Sequence, residues 1–272
     1  MLGELVLTHD MLAEGVHYLP GDPPGDVAWK LLAVNLSDLA AKGAKPSGVL
    51  LGYPLAGDAG WDAAFLDGLR EGLAAFGCAL LGGDTVKLQP GAPRTLSLTA
   101  IGVAAAAPAR SGAEPGDALW VTGTIGDGGA GLGIAKGAPG PAELLARYRR
   151  PVPRLAEGRA LGPHVHAMMD VSDGLLIDAR RMAAASGLAV AIDLAAVPLS
   201  AGYTVFAGSD RKARLAAATA GDDYELLFAA ASDFVPPVPA TRIGSFGAGS
   251  GLSLNDAGAP VPLPDRVGFE HG

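Results

Sequence analysis

Strands and helices alternate through both halves of this 272-residue chain, which predicts an α/β fold of mixed α+β character in two domains. Three observations carry that prediction. Short apolar runs stop at Gly, Pro or Asp and give way to longer stretches with helical periodicity. The connector Ala104-Ala105-Ala106-Ala107-Pro108-Ala109 is featureless, and the alternation restarts after it, so the domains are expected at 1–107 and 108–272. Composition is globular, with 49% hydrophobic and 18% charged residues, and a chain of this length buries roughly three quarters of its unfolded surface.

Residues 3–8 read as a short strand, followed by a turn-rich stretch through Pro20, Pro23 and Pro24. Asp26 is the expected N-cap of a helix from Val27 to Lys42, closed by Gly43. Leu31, Leu32, Val34, Leu36 and Leu39 make that helix apolar nearly all round, so it should be buried. Asn35, Asp38 and Lys42 form a polar stripe on it, and a buried polar stripe must meet partners or ligands. A strand over 49–53 and a helix over 61–76 closed by Gly77 follow. Ala79 to Leu81 is a strand expected to end at Gly82-Gly83-Asp84. Thr95 to Val103 alternates polar and apolar residues, as a half-buried strand does.

The second half opens with a strand over 118–122 and a glycine-rich turn and helix over 123–136. Helices are expected around 142–149 and 154–162, then a strand over 166–169, a helix over 173–186 and a strand over 189–194. His164 and His166 read as a strand edge. A helix over 211–219 precedes strands over 224–230, 242–246 and 252–254, with a turn over 255–258.

The net charge of −8 lacks the basic footprint of a nucleic-acid binder. No apolar run is long enough to span a membrane, and Met1-Leu2-Gly3-Glu4 lacks the basic start of a signal peptide. A single cysteine, Cys78, sits in an apolar run, reads as a small core residue and fits a reducing cytoplasm. Scattered histidines and one cysteine give no zinc-ligand spacing, and neither a P-loop nor a protein-kinase triplet occurs. Gly126-Asp127-Gly128-Gly129-Ala130-Gly131 matches a dinucleotide fingerprint, but Pro139 and Pro141 follow closely and no acidic strand end stands at the required spacing. Tight packing or a phosphate-facing turn is the better reading of those glycines.

The chain holds 20 Asp against 8 Glu. Capping and turns explain many of them. Seven, however, sit in five short segments where apolar runs stop: Thr8-His9-Asp10, Ser37-Asp38, Gly82-Gly83-Asp84, Asp170-Val171-Ser172-Asp173 and Gly221-Asp222-Asp223. A cleft lined by these carboxylates repels itself unless cations fill it. Hard oxygen ligands that share a metal with substrate phosphates are the usual magnesium arrangement. The expectation is a magnesium-dependent enzyme acting on phosphates.

Several motifs together resemble the thiamine-monophosphate kinase family. They are 10–18 (Asp-Met-Leu-Ala-Glu-Gly-Val-His-Tyr), 35–44 (Asn-Leu-Ser-Asp-Leu-Ala-Ala-Lys-Gly-Ala), Gly82-Gly83-Asp84-Thr85 and Arg110-Ser111-Gly112-Ala113 with Pro115-Gly116-Asp117. Met169-Asp170-Val171-Ser172-Asp173-Gly174-Leu175, 221–228 (Gly-Asp-Asp-Tyr-Glu-Leu-Leu-Phe) and Gly268-Phe269-Glu270-His271 complete the series in order. The resemblance implies the two-domain fold shared with aminoimidazole ribonucleotide synthetase and selenophosphate synthetase, with two subunits pairing through their N-terminal sheets. It implies ATP as co-substrate, several magnesium ions, and direct in-line transfer of the γ-phosphate to thiamine monophosphate, giving thiamine diphosphate and ADP. By the same resemblance Thr8, Asp10, Asp38, Asp84, Asp170 and Asp173 fall on metal ligands. Gly83, Asp84, Arg110 and Ser172 fall on ATP-binding positions, and His17, Asp222 and Phe269 on substrate-binding ones, Phe269 as a cation–π partner of the thiazolium.

The sequence departs from the family pattern at His9 (Thr or Ser is usual), Leu66 (an ATP-stacking aromatic is usual) and Asp222 (Glu is usual). The family's upstream Gly-Asp-Asp-Ala-Ala metal segment is absent from this chain. The alternative it raises is a weak or inactive nucleotide-binding homodimer of the same fold. A sister enzyme making a cyclised ribonucleotide or selenophosphate is a third reading, and the latter chemistry would bring a reactive N-terminal Cys that is missing here.

Overall fold

The computed structural model describes residues 4–270. Gly3 of the first expected strand and His271 of the last motif lie outside the described residues. The chain forms two sheets, each with helices against it. The N-terminal sheet has four strands: β1 (Leu5–Ala13), β2 (Lys45–Leu55), β3 (Leu80–Lys87) and β4 (Thr95–Val103), in the order β1-β4-β2-β3. Helices α1 (Pro24–Ala40) and α2 (Ala59–Ala75) belong to this half. The C-terminal sheet has seven strands: β5 (Ala118–Thr122), β6 (Ala167–Asp170), β7 (Ala189–Asp193), β8 (Leu226–Ala230), β9 (Ala240–Gly247), β10 (Gly251–Asp256) and β11 (Ala259–Val261). Its order is β11-β10-β7-β9-β5-β8-β6, antiparallel except for β10 beside β7. Helices α3 (Asp127–Ala135), α4 (Ala142–Arg149), α5 (Leu155–Leu161), α6 (Leu175–Ser186), α7 (Ala201–Ala207) and α8 (Arg211–Thr219) complete it.

Helix α1 is buried along most of its length, as its all-round apolar sequence requires. One side packs on β1, β4 and α2, while α4, α5 and β6 of the second half press on the other. Ala40 and Ala41 join Leu161, Met168, Leu226 and Phe228 in a small apolar cluster at that junction. Gly158 of α5 sits so close that a Cβ there would lie 2.0 Å from the Ala40 carbonyl oxygen.

Several expected boundaries move. β1 runs to Ala13, so Asp10 lies inside the strand and not at its end. β3 runs through Gly82, Gly83 and Asp84, because these pair with Leu50, Leu51 and Gly52 of β2. The backbone ladder overrode the turn propensity of paired glycines. Asp26 stands in the first turn of α1; Pro23 holds the N-cap, and Pro24 opens the helix with a φ already suited to it. Gly43 (φ +61°) closes the helix as expected. Strand β11, helix α7 and a 3-10 turn over Leu194–Ala196 have no counterpart in the sequence reading.

Candidate active site

Alternate residues of a strand share a face. On β1, Val6 and Leu12 are buried under α1, which puts Thr8 and Asp10 on that same inner face. Thr8 donates its hydroxyl to Asp38 of α1, and the Asp10 N–H donates to Asn35 Oδ1 at 3.0 Å. Ser37, on the other flank of α1, donates to Asp170 Oδ2 at 2.6 Å. Asn35 and Ser37 are fully buried. The polar side chains of α1 therefore meet partners on both flanks: α1 joins Thr8 and Asp10 of β1 to the carboxylate that ends β6.

Beyond Asp170 the chain turns through Val171-Ser172-Asp173-Gly174 into α6. Asp173 does not cap α6. The cap position is Gly174, without a side-chain bond, and Asp178 in the first turn instead accepts the N–H groups of Ser172 and Asp173 at 3.1 Å each. Arg181 bridges Asp173 Oδ2 (2.5 Å) and Asp178 Oδ1 (2.9 Å). Asp178 and Arg181 thus brace this turn, and nothing in the motif spacing announced them.

The segment 221–225 is laced to the same turn. Asp222 N–H donates to the Ser172 carbonyl, and Tyr224 N–H to the Val171 carbonyl, both at 2.8 Å. A Cβ on Gly221 would stand 2.5 Å from the Ser172 oxygen. Asp222 (φ +68°) and Tyr224 (φ +53°) occupy the left-handed region, which is costly for a bulky residue and clusters at functional sites. The Phe269 N–H donates to the Asp173 carbonyl at 2.9 Å and brings the C-terminal segment to the same place.

These segments enclose a cavity of about 600 Å³. Asp10, Asp38, Asp170 and Asp173 line it together with Ser172. His17, Asp222 and Phe269 line it as well. The His17 Nδ1 accepts the Ala13 N–H at 3.0 Å, so a neutral ring carries its proton on Nε2. Burial, then the neighbouring Asp38 charge, pushes the Asp10 carboxyl up to about 6. Burial and Asp38 likewise raise Asp170 well above the usual carboxylate range, against the opposing Ser37 hydrogen bond. Lys42 is lowered by burial and by Arg110; its Nζ donates to the Pro108 (3.1 Å) and Met168 (3.4 Å) carbonyls.

Four expected site residues lie elsewhere. Thr8 lines a smaller adjoining cleft with Asp38 and Lys42. Arg110 is exposed at the end of the connector. Gly83 and Asp84 lie on exposed β3, at the far edge of the sheet from β1. Asp84 pairs with Gly52, Gly52 with Ser97 and Ser97 with Met11, so Asp84 shares the outer face with Met11, opposite Asp10. Three strand spacings put the two strands about 14 Å apart. Gly83 has a packing reason of its own, since a Cβ there would meet the Leu51 oxygen at 2.0 Å.

The glycine-rich turn at 126–131 is packed, not open. Half-buried Asp223 accepts the Gly126 and Gly128 N–H groups at 2.8–3.2 Å and fills the N-terminus of α3. A Cβ at Gly131 would lie 2.1 Å from the Leu144 oxygen. His166 does not sit within a strand; it precedes β6 and places its Nδ1 2.9 Å from Asp117 Oδ2. Cys78 is a buried core residue.

Among the described residues, no three His, Cys, Asp or Glu side chains approach closely enough to hold a metal by themselves. Magnesium keeps waters and takes one or two carboxylates plus phosphate oxygens, so it does not need such a cage. The oxygen donors of the cavity, with Asp10 and Asp170 raised by burial and then by the like charge of Asp38, fit that ion.

The AIR synthase related protein N-terminal domain model matches residues 2–104, and the corresponding C-terminal domain model matches 114–256. The thiamine-monophosphate kinase of Caulobacter vibrioides is 40% identical over 287 residues, covering 99% of this chain and 81% of that protein. That of Escherichia coli K12 is 37% identical over 286 residues, covering 98% and 86%. A solved structure of AaThiL complexed with AMPPCP and TMP superposes with a TM-score of 0.88 at 30% identity, covering 98% of this chain and 87% of that one. Domain matches, near-full-length relatives and a shared two-sheet architecture agree: the chain belongs to the thiamine-monophosphate kinase family, on the AIR synthase related fold.

Proposed function

We propose that this cavity is where the γ-phosphoryl group of ATP passes to the phosphate of thiamine monophosphate. An acceptor phosphate oxygen forms a bond to the γ-phosphorus as the bond to the β,γ-bridging oxygen breaks, and thiamine diphosphate and ADP leave. The observation that carries this reading is that Asp10, Asp38, Asp170 and Asp173 line one cavity together with His17, Asp222 and Phe269. Thr8, Asp10, Asp38, Asp84, Asp170 and Asp173 would hold magnesium. Bound magnesium neutralises the phosphate charge that otherwise keeps two polyanions apart.

The protein supplies position and electrostatics. Ser172, braced through its N–H by Asp178, and Arg110 and Gly83 serve the nucleotide. His17 and Asp222 hold the acceptor, with Phe269 against the thiazolium. Residues 1–107 and 108–272 act as the two domains whose junction forms the site.

A homodimer completes this reading. The outer face of the N-terminal sheet carries Leu5, Leu7, Met11, Leu50 and Val103, all exposed, and Leu81 stands over Gly48 on the same face. A contiguous apolar face of this kind marks an interaction surface. A second copy packed there covers it and supplies Asp84 and Gly83 from its own β3 to the neighbouring site. The cytoplasm is the proposed compartment; no helix among the described residues is long and apolar enough to cross a membrane. The inactive-dimer alternative is not favoured by relatives that carry the kinase name over nearly the whole chain.

The deciding experiment is a coupled assay of ADP release from ATP and thiamine monophosphate with magnesium. Release that depends on both acceptor and metal supports the reading; release at the acceptor-free background removes it.

A further inference from the structure

Lys30 is a lysine with almost no solvent contact, 2% exposed, in the first half of α1. A buried ammonium persists only when it is paired and hydrogen-bonded. Its Nζ stands 2.7 Å from Asp222 Oδ2 and donates to the His17 carbonyl at 3.1 Å. It also lies 4.1 Å above the Tyr148 ring, whose hydroxyl donates to buried Asp22 at 3.1 Å. The other Asp222 oxygen accepts the Tyr224 hydroxyl at 2.9 Å. Lys30 does not line the cavity, yet both residues it grips do.

We infer that Lys30 is the positioning residue of the acceptor end: one ammonium on α1 ties the His17 loop of the first half to the left-handed Asp222 turn of the second. Three consequences follow from this geometry. Asp222 faces the cavity as a charge-balanced partner, so it orients the acceptor more than it attracts it. The spacing between His17 and Asp222 is set from behind by Lys30, not by the loops themselves. The nucleotide end is braced by side chains other than Lys30, Asp178 and Arg181 on α6, and meets the Asp222 turn through the backbone carbonyls of Val171 and Ser172.

The inference rests on the acceptor-site reading of His17 and Asp222 given above. The test is steady-state kinetics of Lys30→Met, Asp222→Asn and the double variant, with each substrate varied in turn. Lys30→Met is expected to raise the KM for thiamine monophosphate about tenfold or more, as loss of a charge-assisted hydrogen bond does, with the KM for ATP within about twofold of wild type. The double variant is expected to match the worse single variant, because the two side chains act as a unit. The double variant also removes both charges together and keeps the test open if Lys30→Met alone folds poorly. Equal rises in both KM values, or losses that simply add, overturn the inference. An inactive wild-type enzyme would instead overturn the functional reading beneath it.

Discussion

Asp170 ends a strand whose four residues are all buried, with Asp38 as a like-charged neighbour and Ser37 donating to it. Burial and Asp38 disfavour its ionised form, and under the proposed reading a bound cation would offset that. Asp170→Asn is therefore expected to cut turnover by at least about a hundredfold while the metal-free melting temperature holds or rises. A loss of both together would make Asp170 a structural residue. Asp10 gives the pH dependence. Its folded carboxyl, raised from 3.8 to about 6, keeps a proton that the unfolded chain has already released. Metal-free stability contributed by this group is thus full below 3.8 and falls as pH rises to about 6. Magnesium needs the ionised form, so the magnesium-induced rise in melting temperature should grow between about pH 5 and about pH 8. A shift that is flat across that range would detach Asp10 from the metal.

Elements explain what the sequence could and could not disclose. Helix α1 was legible because apolar residues surround it and the stripe Asn35, Asp38, Lys42 interrupts them. β4 was legible from strict alternation. β3 was not, since Gly82-Gly83-Asp84 has turn chemistry locally and only pairing with β2 makes it a strand. Ser37 and Lys30 act across tertiary contacts, on Asp170 and on Asp222, which no local pattern announces; Asp178 lies only six residues from Ser172, but an acid in the first turn of a helix reads as ordinary there. The glycine-rich turn shows the same limit from the other side. Its spacing left tight packing and a phosphate-facing turn both open, and only the fold shows that Asp223 brings its own carboxylate to the start of α3 and that the glycines are packed. Asp223→Ala should leave two buried N–H groups unpaired and cost about 1–3 kcal/mol, read by urea denaturation. A change well below that range would mean that water replaces the carboxylate.

At the scale of the whole molecule, one chain holds most of the expected site but not all of it. Asp84 stands on the outer face of the sheet and Asp10 on the inner, with β4 and β2 between their strands. If the site is completed by a second copy, two inactive variants repair each other. Asp10→Asn and Asp84→Asn subunits, mixed and allowed to exchange, should recover about one quarter of wild-type activity, since half the dimers are mixed and one of their two sites is intact. No recovery after verified exchange would place both residues in one chain's site. Helix α1 has a consequence of its own. The first half packs on one side of it and the second half on the other, so the covalent tether over 104–109 adds little to what already joins them. Nicking that tether should leave a two-piece protein that stays assembled, and the same place is where a split version of this enzyme, made as separate polypeptides, would be cut.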